Sequence, residues 1–411
     1  MADIKPFAGL RAPEALAGKV ASPPYDVISC AEAKAIVAEN PMSFLRVIRP
    51  DIEFDDSIAN LDERLFATGR NNLELFKEKG WLVADAKPAF YLYEQVMGEH
   101  RQIGLVAGAS ATEYRVGKIK RHEFTRPAKE MERTKHIQAT GTNTGMVFLT
   151  YRAQASIDAL VGQICQRPAV YDFVANDRVE HRLWLVDQDE EITELERLFA
   201  DVPNLYVADG HHRTAAAEHV QTARQEQNGE HQGNEAYNYF LSVLIPHNQL
   251  LVMPYNRVVL DLAGKTKAEF LTALDEKFSV EKSDQKAPVA PLSFGMYLDK
   301  EWYQLKAKPK SFAADHITES LDASVLQNNL LAPILQIENP RTDPRVVFVG
   351  GIRGAAELER QADASGGAAF YLYATEIEQV MAVADAGEVM PPKSTWFEPK
   401  MLSGLVVRPL D

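Results

Sequence analysis

Cysteine is nearly missing from this 411-residue chain, where Cys30 and Cys165 are the two present. They are far apart, with no C-x-x-C spacing and no histidine in metal register near either. This argues against a disulfide framework or a structural zinc site, and for reduced thiols in a cytoplasmic setting. No apolar run is long enough to span a bilayer, and the opening Met1-Ala2-Asp3-Ile4-Lys5-Pro6 has no apolar signal core. A cytoplasmic protein without a membrane anchor is therefore expected. Positive charge is also short: 44 Lys and Arg against 58 Asp and Glu leave a net charge of −14. That speaks against duplex DNA as a partner, which needs a broad basic face to displace counterions, and leaves phosphates to local basic sites. A G-x-x-x-x-G-K-[ST] phosphate loop, a nucleophile elbow, a zinc signature and an internal repeat are all lacking.

What the chain does have is enough length and apolar content, 46% hydrophobic residues, for more than one core. Strand-like and helix-like runs alternate up to about residue 261, and the pattern then changes. The expectation is an α/β or α+β fold with a mixed sheet, an N-terminal α/β region over residues 1–261 and a C-terminal α+β region over 262–411 that closes the site. Tyr239 to Ile245 and Leu250 to Val259 are strongly β-like and expected to flank the Leu205 strand in one sheet. A further strand is expected at Gly404 to Val407.

The chain is organised around Leu205-Tyr206-Val207-Ala208-Asp209-Gly210-His211-His212-Arg213-Thr214-Ala215-Ala216-Ala217. An apolar, β-favouring run meets an Asp-Gly breaker and opens into Ala-rich helical sequence, which predicts strand, tight turn and helix N-terminus. Free backbone N–H groups and the positive end of a helix dipole converge at such a junction. His211, His212 and Arg213 add donors for a phosphate or carboxylate, and Asp209 is the one carboxylate of the cluster. The plainer alternative makes Asp209 an N-cap, Gly210 a turn residue and the histidines solvated. Joint metal binding by the two histidines is disfavoured, because adjacent helical residues point about 100° apart.

Three other stretches carry chemistry-bearing residues. Ser22-Pro23-Pro24-Tyr25-Asp26-Val27 is stiffened by two prolines and presents Tyr25 and Asp26, ahead of a helix capped by Ser29. The segment from Arg115 to Lys135 sets eight basic residues against three glutamates. In it, Arg121-His122-Glu123 precedes a helix opened by Pro127, whose Lys129 to Lys135 stretch reads as a solvated charged face. Met390-Pro391-Pro392-Lys393-Ser394-Thr395-Trp396-Phe397 joins a rigid proline pair to a lysine and two hydroxyls, as a ligand loop or a packed connector.

S-P-P-Y-D-V at 22–27, V-A-D-G-H-H-R at 207–213 and M-P-P-K-S-T-W-F at 390–397, with S-G-L-V at 403–406, together resemble a bacterial and archaeal family of unknown function, number 1015. The D-G-H-H-R turn, over about 190–260, also resembles the box of the ParB/sulfiredoxin superfamily, some of whose members are kinases of free serine. That likeness implies a ParB/sulfiredoxin-like core in which Gly210 makes the turn, His211, His212 and Arg213 hold phosphates, and Asp209 serves as acid/base or faces a metal. His211 stands where sulfiredoxins carry their reactive Cys, so sulfinic-acid reduction is not implied.

The expected function is a magnesium-assisted transferase, a small-molecule kinase that moves a phosphoryl group from ATP, ADP or pyrophosphate to a small hydroxyl compound such as free serine. In that reading Asp209 or Glu123 is catalytic, with Asp209 also the Mg²⁺ ligand. Gly210, His211, His212, Arg213, Arg121 and Lys393 bind phosphate, and Tyr25, Asp26, His122, Ser394 and Thr395 bind substrate. The alternative is a nucleotide- or phosphate-sensing regulator with the same site and no catalysis. A hydrolase with a histidine base comes last. All these segments are expected to converge on one cleft, and the partner is a small molecule, with no membrane.

Overall fold

Apolar runs bounded by turn residues become the strands of one large sheet in the first of two units. The computed structural model describes residues 2–55 and 57–411. Contacts divide them into Met1–Leu250 with Pro399–Asp411, and Leu251–Glu398. The sheet of the first unit holds β1 (Ile4–Lys5), β2 (Phe90–Met97), β3 (His100–Ser110), β4 (Ile119–Lys120), β5 (Val147–Tyr151), β6 (Tyr171–Val174), β7 (Glu180–Val186), β8 (Leu205–Asp209) and β9 (Tyr239–Pro246). Their order is β4-β8-β5-β9-β3-β2-β7-β6, with β1 on β3. β8 is parallel to β4 and antiparallel to β5, and β9 is parallel to β5 and antiparallel to β3. The sheet is mixed and the class α/β. Val147-Phe148-Leu149-Thr150-Tyr151 is buried at every position, as a continuous apolar run must be when both faces of a central strand are covered.

The principal helices of this unit are α1 (Cys30–Glu39), α2 (Glu63–Glu78), α3 (Pro127–Thr140), α4 (Ala155–Ile164), α5 (Asp189–Ala200) and α6 (His211–Gln227). Ser29 and Glu32 form a reciprocal capping box on α1, and Pro127 opens α3, where a missing N–H costs nothing. α3 packs along α6. The close approach uses small residues, since Ala215, Ala216 and Ala217 are all buried. Leu205, Val207, Val147, Leu149, Phe240 and Ala217 share one apolar core, so burial of side chains at the base of the turn fixes where β8 ends and α6 begins.

The second unit is built on an antiparallel sheet of β10 (Tyr255–Val259), β11 (Phe278–Lys282), β12 (Ser293–Leu298), β13 (Glu301–Ala307), β14 (Val346–Gly350) and β15 (Ala368–Leu372), in the order β11-β13-β12-β15-β10-β14. Lys267–Leu274, Gly354–Ser365 and Ile377–Asp385 are its main helices. Phe270, Phe278, Phe294, Phe370 and Leu305 fill its core.

Several expectations change here. β9 does not flank β8, because β5 lies between them, and 250–259 leaves this sheet entirely. Pro254 interrupts that stretch, and both pieces, Leu251–Met253 and Tyr255–Val259, belong to the second unit. The unit boundary falls at Leu250, not 261, and the last residues return to the first unit. Gly404 to Val407 is not a strand: Gly404 has φ +84°, and pairing is limited to a bridge from Val407 to Leu10. Nor is Lys129 to Lys135 simply a solvated face, since Arg133 is 6% exposed.

Candidate functional site

The turn is shaped by three backbone features. Between Val207 and Asp209 the pairing of β8 with β5 slips, so that Asp209 stands opposite Phe148; such a bulge re-aims the end of a strand. Gly210 follows at φ +96°, a conformation costly for any residue with a Cβ. α6 then begins at His211 with no side chain capping it. The amides of Arg213 and Thr214 turn back to the Gly210 carbonyl, which leaves the opening amides for an outside acceptor.

Asp209 is no N-cap. One of its oxygens accepts the adjacent Gly210 N–H at 2.8 Å, and the other accepts Lys400 Nζ at 2.9 Å. Burial alone would raise the Asp209 pKa, but the charge and hydrogen bond of Lys400 outweigh it and hold the carboxyl at about 2. Its side chain remains 45% exposed, so the ion pair borders open space. Lys400 comes from the terminal segment that rejoins this unit, and Gln95 Nε2 donates to its carbonyl at 2.9 Å.

Beside the pair lie two buried imidazoles. His122 and His211 are 2% and 5% exposed, and their rings meet edge to face at 4.6 Å. Both ring nitrogens of His122 and Nε2 of His211 have no hydrogen-bond partner. Burial first, and then the neighbouring imidazole, pushes the His122 pKa down to about 3; burial brings His211 to about 4 against the pull of Asp209. Both are neutral at pH 7. Unpaired nitrogens in such a place are costly unless a ligand completes them. His212 is tied differently, its Nε2 accepting the Arg126 backbone N–H at 3.0 Å.

Arg213 turns from the helix end toward the proline-stiffened loop. Its guanidinium carbon lies 4.9 Å from the centre of the Tyr25 ring, and a Cβ on Gly145 would stand 2.5 Å from its Nη1. Glycine at 145 is thus what lets the guanidinium lie on the backbone. The Tyr25 loop is itself pinned, since Arg49 Nη1 donates to the carbonyls of Tyr25 and Ile28, both at 2.9 Å. Arg133, on α3, packs on the same ring with its guanidinium carbon 4.1 Å from the centre.

The first unit therefore gathers Tyr25, Asp26, His122, Glu123 and Asp209 to Arg213 around one turn. The Asp26 charge acts on His212 and Arg213, that of Glu123 on His122 and His212, and that of exposed Arg121 on His211. Lys393, Ser394 and Thr395 belong to the second unit. There Lys393 Nζ sits 5.2 Å from the centre of the Tyr255 ring, and Ser394 Oγ donates to the Pro391 carbonyl at 2.8 Å. Two residues escaped the sequence reading. Lys400 carries no local signal, being a lone lysine after a proline. Arg133 carries one in retrospect, since it shares a helical face with His136, Ile137 and Thr140, all buried.

Among the described residues no group of three His, Cys, Asp or Glu is placed to hold a metal ion. Lys400 occupies the flank of Asp209 where a cation was expected, so the donor set does not fit a resident metal. Among them, too, no helix is long and apolar enough to cross a membrane.

A comparison with curated proteins returns no match. Among solved structures, similar ones include a free serine kinase in complex with AMP, 13% identical over 68% of this chain and 83% of that chain with a TM-score of 0.35. SbnI with a C-terminal truncation, from Staphylococcus aureus, is 12% identical over 74% of this chain and 87% of that chain with a TM-score of 0.39. A conserved hypothetical protein from Pyrococcus furiosus is 12% identical over 71% and 92%, with a TM-score of 0.35. The family model described as Protein of unknown function (DUF1015) matches residues 4–324, and the chain belongs to that family.

Proposed function

We propose that the first unit is a phosphotransferase that moves a phosphoryl group from a nucleotide or pyrophosphate to a small hydroxyl compound. The observation that carries this reading is the uncapped N-terminus of α6, set between the Lys400–Asp209 ion pair and two neutral imidazoles with unpaired nitrogens. Phosphoryl transfer asks for positioned charge more than for covalent help: donors for the phosphate oxygens, a cation near the group in flight, and a carboxylate near the acceptor.

In this reading the donor's phosphates rest on the opening amides of α6, with His211 and His122 completing the cradle. Lys400 neutralises charge on the transferring group. The acceptor oxygen bonds to phosphorus as the bond to the donor's bridging oxygen breaks, and the acceptor's proton passes to a carboxylate. Asp209 is the nearer candidate, with Glu123 its rival. A carboxylate held at about 2 is a weak base, but in a loose transition state the proton moves late, once the oxygen has become acidic. Mg²⁺ would arrive with the phosphates and shield their charge. Free serine as acceptor rests on the resemblance alone.

The test is a matrix of ATP, ADP and pyrophosphate against free amino acids and small alcohols, with Mg²⁺, followed by phosphorus NMR for new phosphomonoesters. Turnover with one pair, abolished in Asp209→Asn with donor binding kept, is the expected result. Donor binding with no transfer across the matrix would favour the sensing alternative, and unimpaired turnover in Asp209→Asn would transfer the base role to Glu123.

A further inference from the structure

Arg133 and Arg213, the latter in the first turn of α6, border a small cavity together with His136, Asn143, Thr144 and Gly145. No Asp or Glu lines it. Arg133 is 6% exposed. Its Nη2 donates to Glu132 at 2.5 Å, whereas its Nε and Nη1 have no partner. Arg213 has no carboxylate in an ion pair among the described residues, and its guanidinium lies over the Tyr25 ring and beside Gly145. His136 adds no charge, because burial and then Arg133 hold its pKa at about 3, while Nε2 is bonded to the Val47 carbonyl at 2.9 Å.

Two planar cations crowded on one aromatic ring, with donor edges left over and no acid at the cavity wall, form half of an ion-binding site. A purely structural arginine would spend those donors on carbonyls, as Arg49 does on the carbonyls of Tyr25 and Ile28. The enclosed space is about 20 Å³. That admits one or two oxygen-sized groups and no ring, which limits the guest to the oxygen edge of a larger molecule.

We infer that Arg133 and Arg213, seated on Tyr25, form a second oxyanion site that takes the oxygen edge of a carboxylate or phosphate on a bound small molecule. This goes beyond the transfer reading and needs only that a small anion reaches the first unit. The free Nε and Nη1 of Arg133 lie on different edges of the guanidinium, on either side of the Nη2 that Glu132 holds, so each offers a single hydrogen bond to an anion's oxygens. Gly145 is part of the device, since any side chain there displaces Arg213.

Equilibrium dialysis of the full chain with inorganic phosphate should find two phosphates per chain, one at the start of α6 and one here. Arg133→Gln should retain one, with phosphate affinity at the lost site down at least tenfold; Glu132, which loses its bond to Arg133, keeps Lys129 as a partner. His211→Asn should lose the other phosphate. Acetate competing only for the site that Arg133→Gln removes would identify a carboxylate guest; displacement by methyl phosphate and not by acetate would identify a phosphate. Unchanged stoichiometry and affinity in Arg133→Gln overturns the inference. If Arg133→Gln fails to fold, Gly145→Ala decides, since it shifts Arg213 without altering charge: two phosphates bound as in wild type would reject the site. Should His211→Asn keep both phosphates while Arg133→Gln loses one, the helix-terminus reading fails and this site stands.

Discussion

The two units handle buried polarity differently. In the first, nine buried side-chain atoms among the described residues have no hydrogen-bond partner, those of His122, His211, Arg133 and Thr134 among them; in the second there are two, Asn256 Nδ2 and Gln327 Oε1. The second unit also buries an arginine, yet Arg257 gives Nη2 to the Pro392 carbonyl at 3.1 Å, bonds the Tyr255 carbonyl through Nη1 and packs on Phe348. Asp322, a carboxyl of this unit that burial pushes up to about 7, accepts the Leu292 N–H at 2.8 Å. A unit that completes nearly all its buried polar groups has little need of a ligand, whereas one that leaves more of them open keeps binding capacity at a cost in stability. The contrast is one ground for our placing the proposed transfer in the first unit.

The largest expected effect comes from breaking the ion pair at the turn. Lys400→Met removes the cation beside Asp209 and should lower kcat by about 10²-fold or more, the usual loss for one charge-stabilising donor, as read by the phosphorus assay. Lys393→Met, in the second unit, should cost less than about tenfold; an equal loss would break the comparison and bring that unit into the chemistry.

Acid separates the units next. His122, His136, His181 and His211 are all held neutral by burial, with pKa values pushed down to about 3, 3, 4 and 4. A depressed histidine stabilises the fold above its unfolded value near 6.5, and that stability is lost as pH falls toward the folded value. The unfolded first unit binds more protons in that window, so its stability should drop by up to about 1.4 kcal/mol per pH unit for each histidine between about pH 6 and 4. Asp322 has the opposite sign. Burial raises its pKa to about 7, so the stability it gives is complete below about 3.8 and is lost as pH rises through 7. Hydrogen exchange at pH 4.5 should show amides of β8 and α6 opening before those of β12 and β15; the reverse order would contradict the assignment.

The smallest effect sharpens that last point. Asp322→Asn keeps the acceptor for Leu292 and removes the buried charge, so it should stabilise the second unit by roughly 1 kcal/mol at pH 8 and by almost nothing at pH 4. Chemical denaturation at the two pH values checks it, and a loss at pH 8 would mean that the carboxylate is charged and satisfied.

The sequence carried the local site well. Asp-Gly between an apolar run and an alanine-rich run has few solutions other than strand, turn and helix, and Tyr25 and Arg121 to Glu123 stood out by rigid or charged contexts. The strand order was not legible in the same way. β9 looks like a neighbour of β8 because both are apolar, but β9 pairs with β3 and β5, and one strand's composition does not encode its partners.

What the sequence determined by itself was the α/β alternation, the glycine turn at 210 and the kinds of side chain around it, because propensity and φ limits are properties of a few adjacent residues. Only the tertiary structure decided that Lys400 reaches Asp209 across 191 positions, that Arg133 turns inward with Nε and Nη1 unpartnered, and that Lys393 belongs to another unit. Those are outcomes of packing, in which a lysine and an aspartate far apart in the chain meet because the cores beneath them leave one arrangement with few voids, and no local pattern records it.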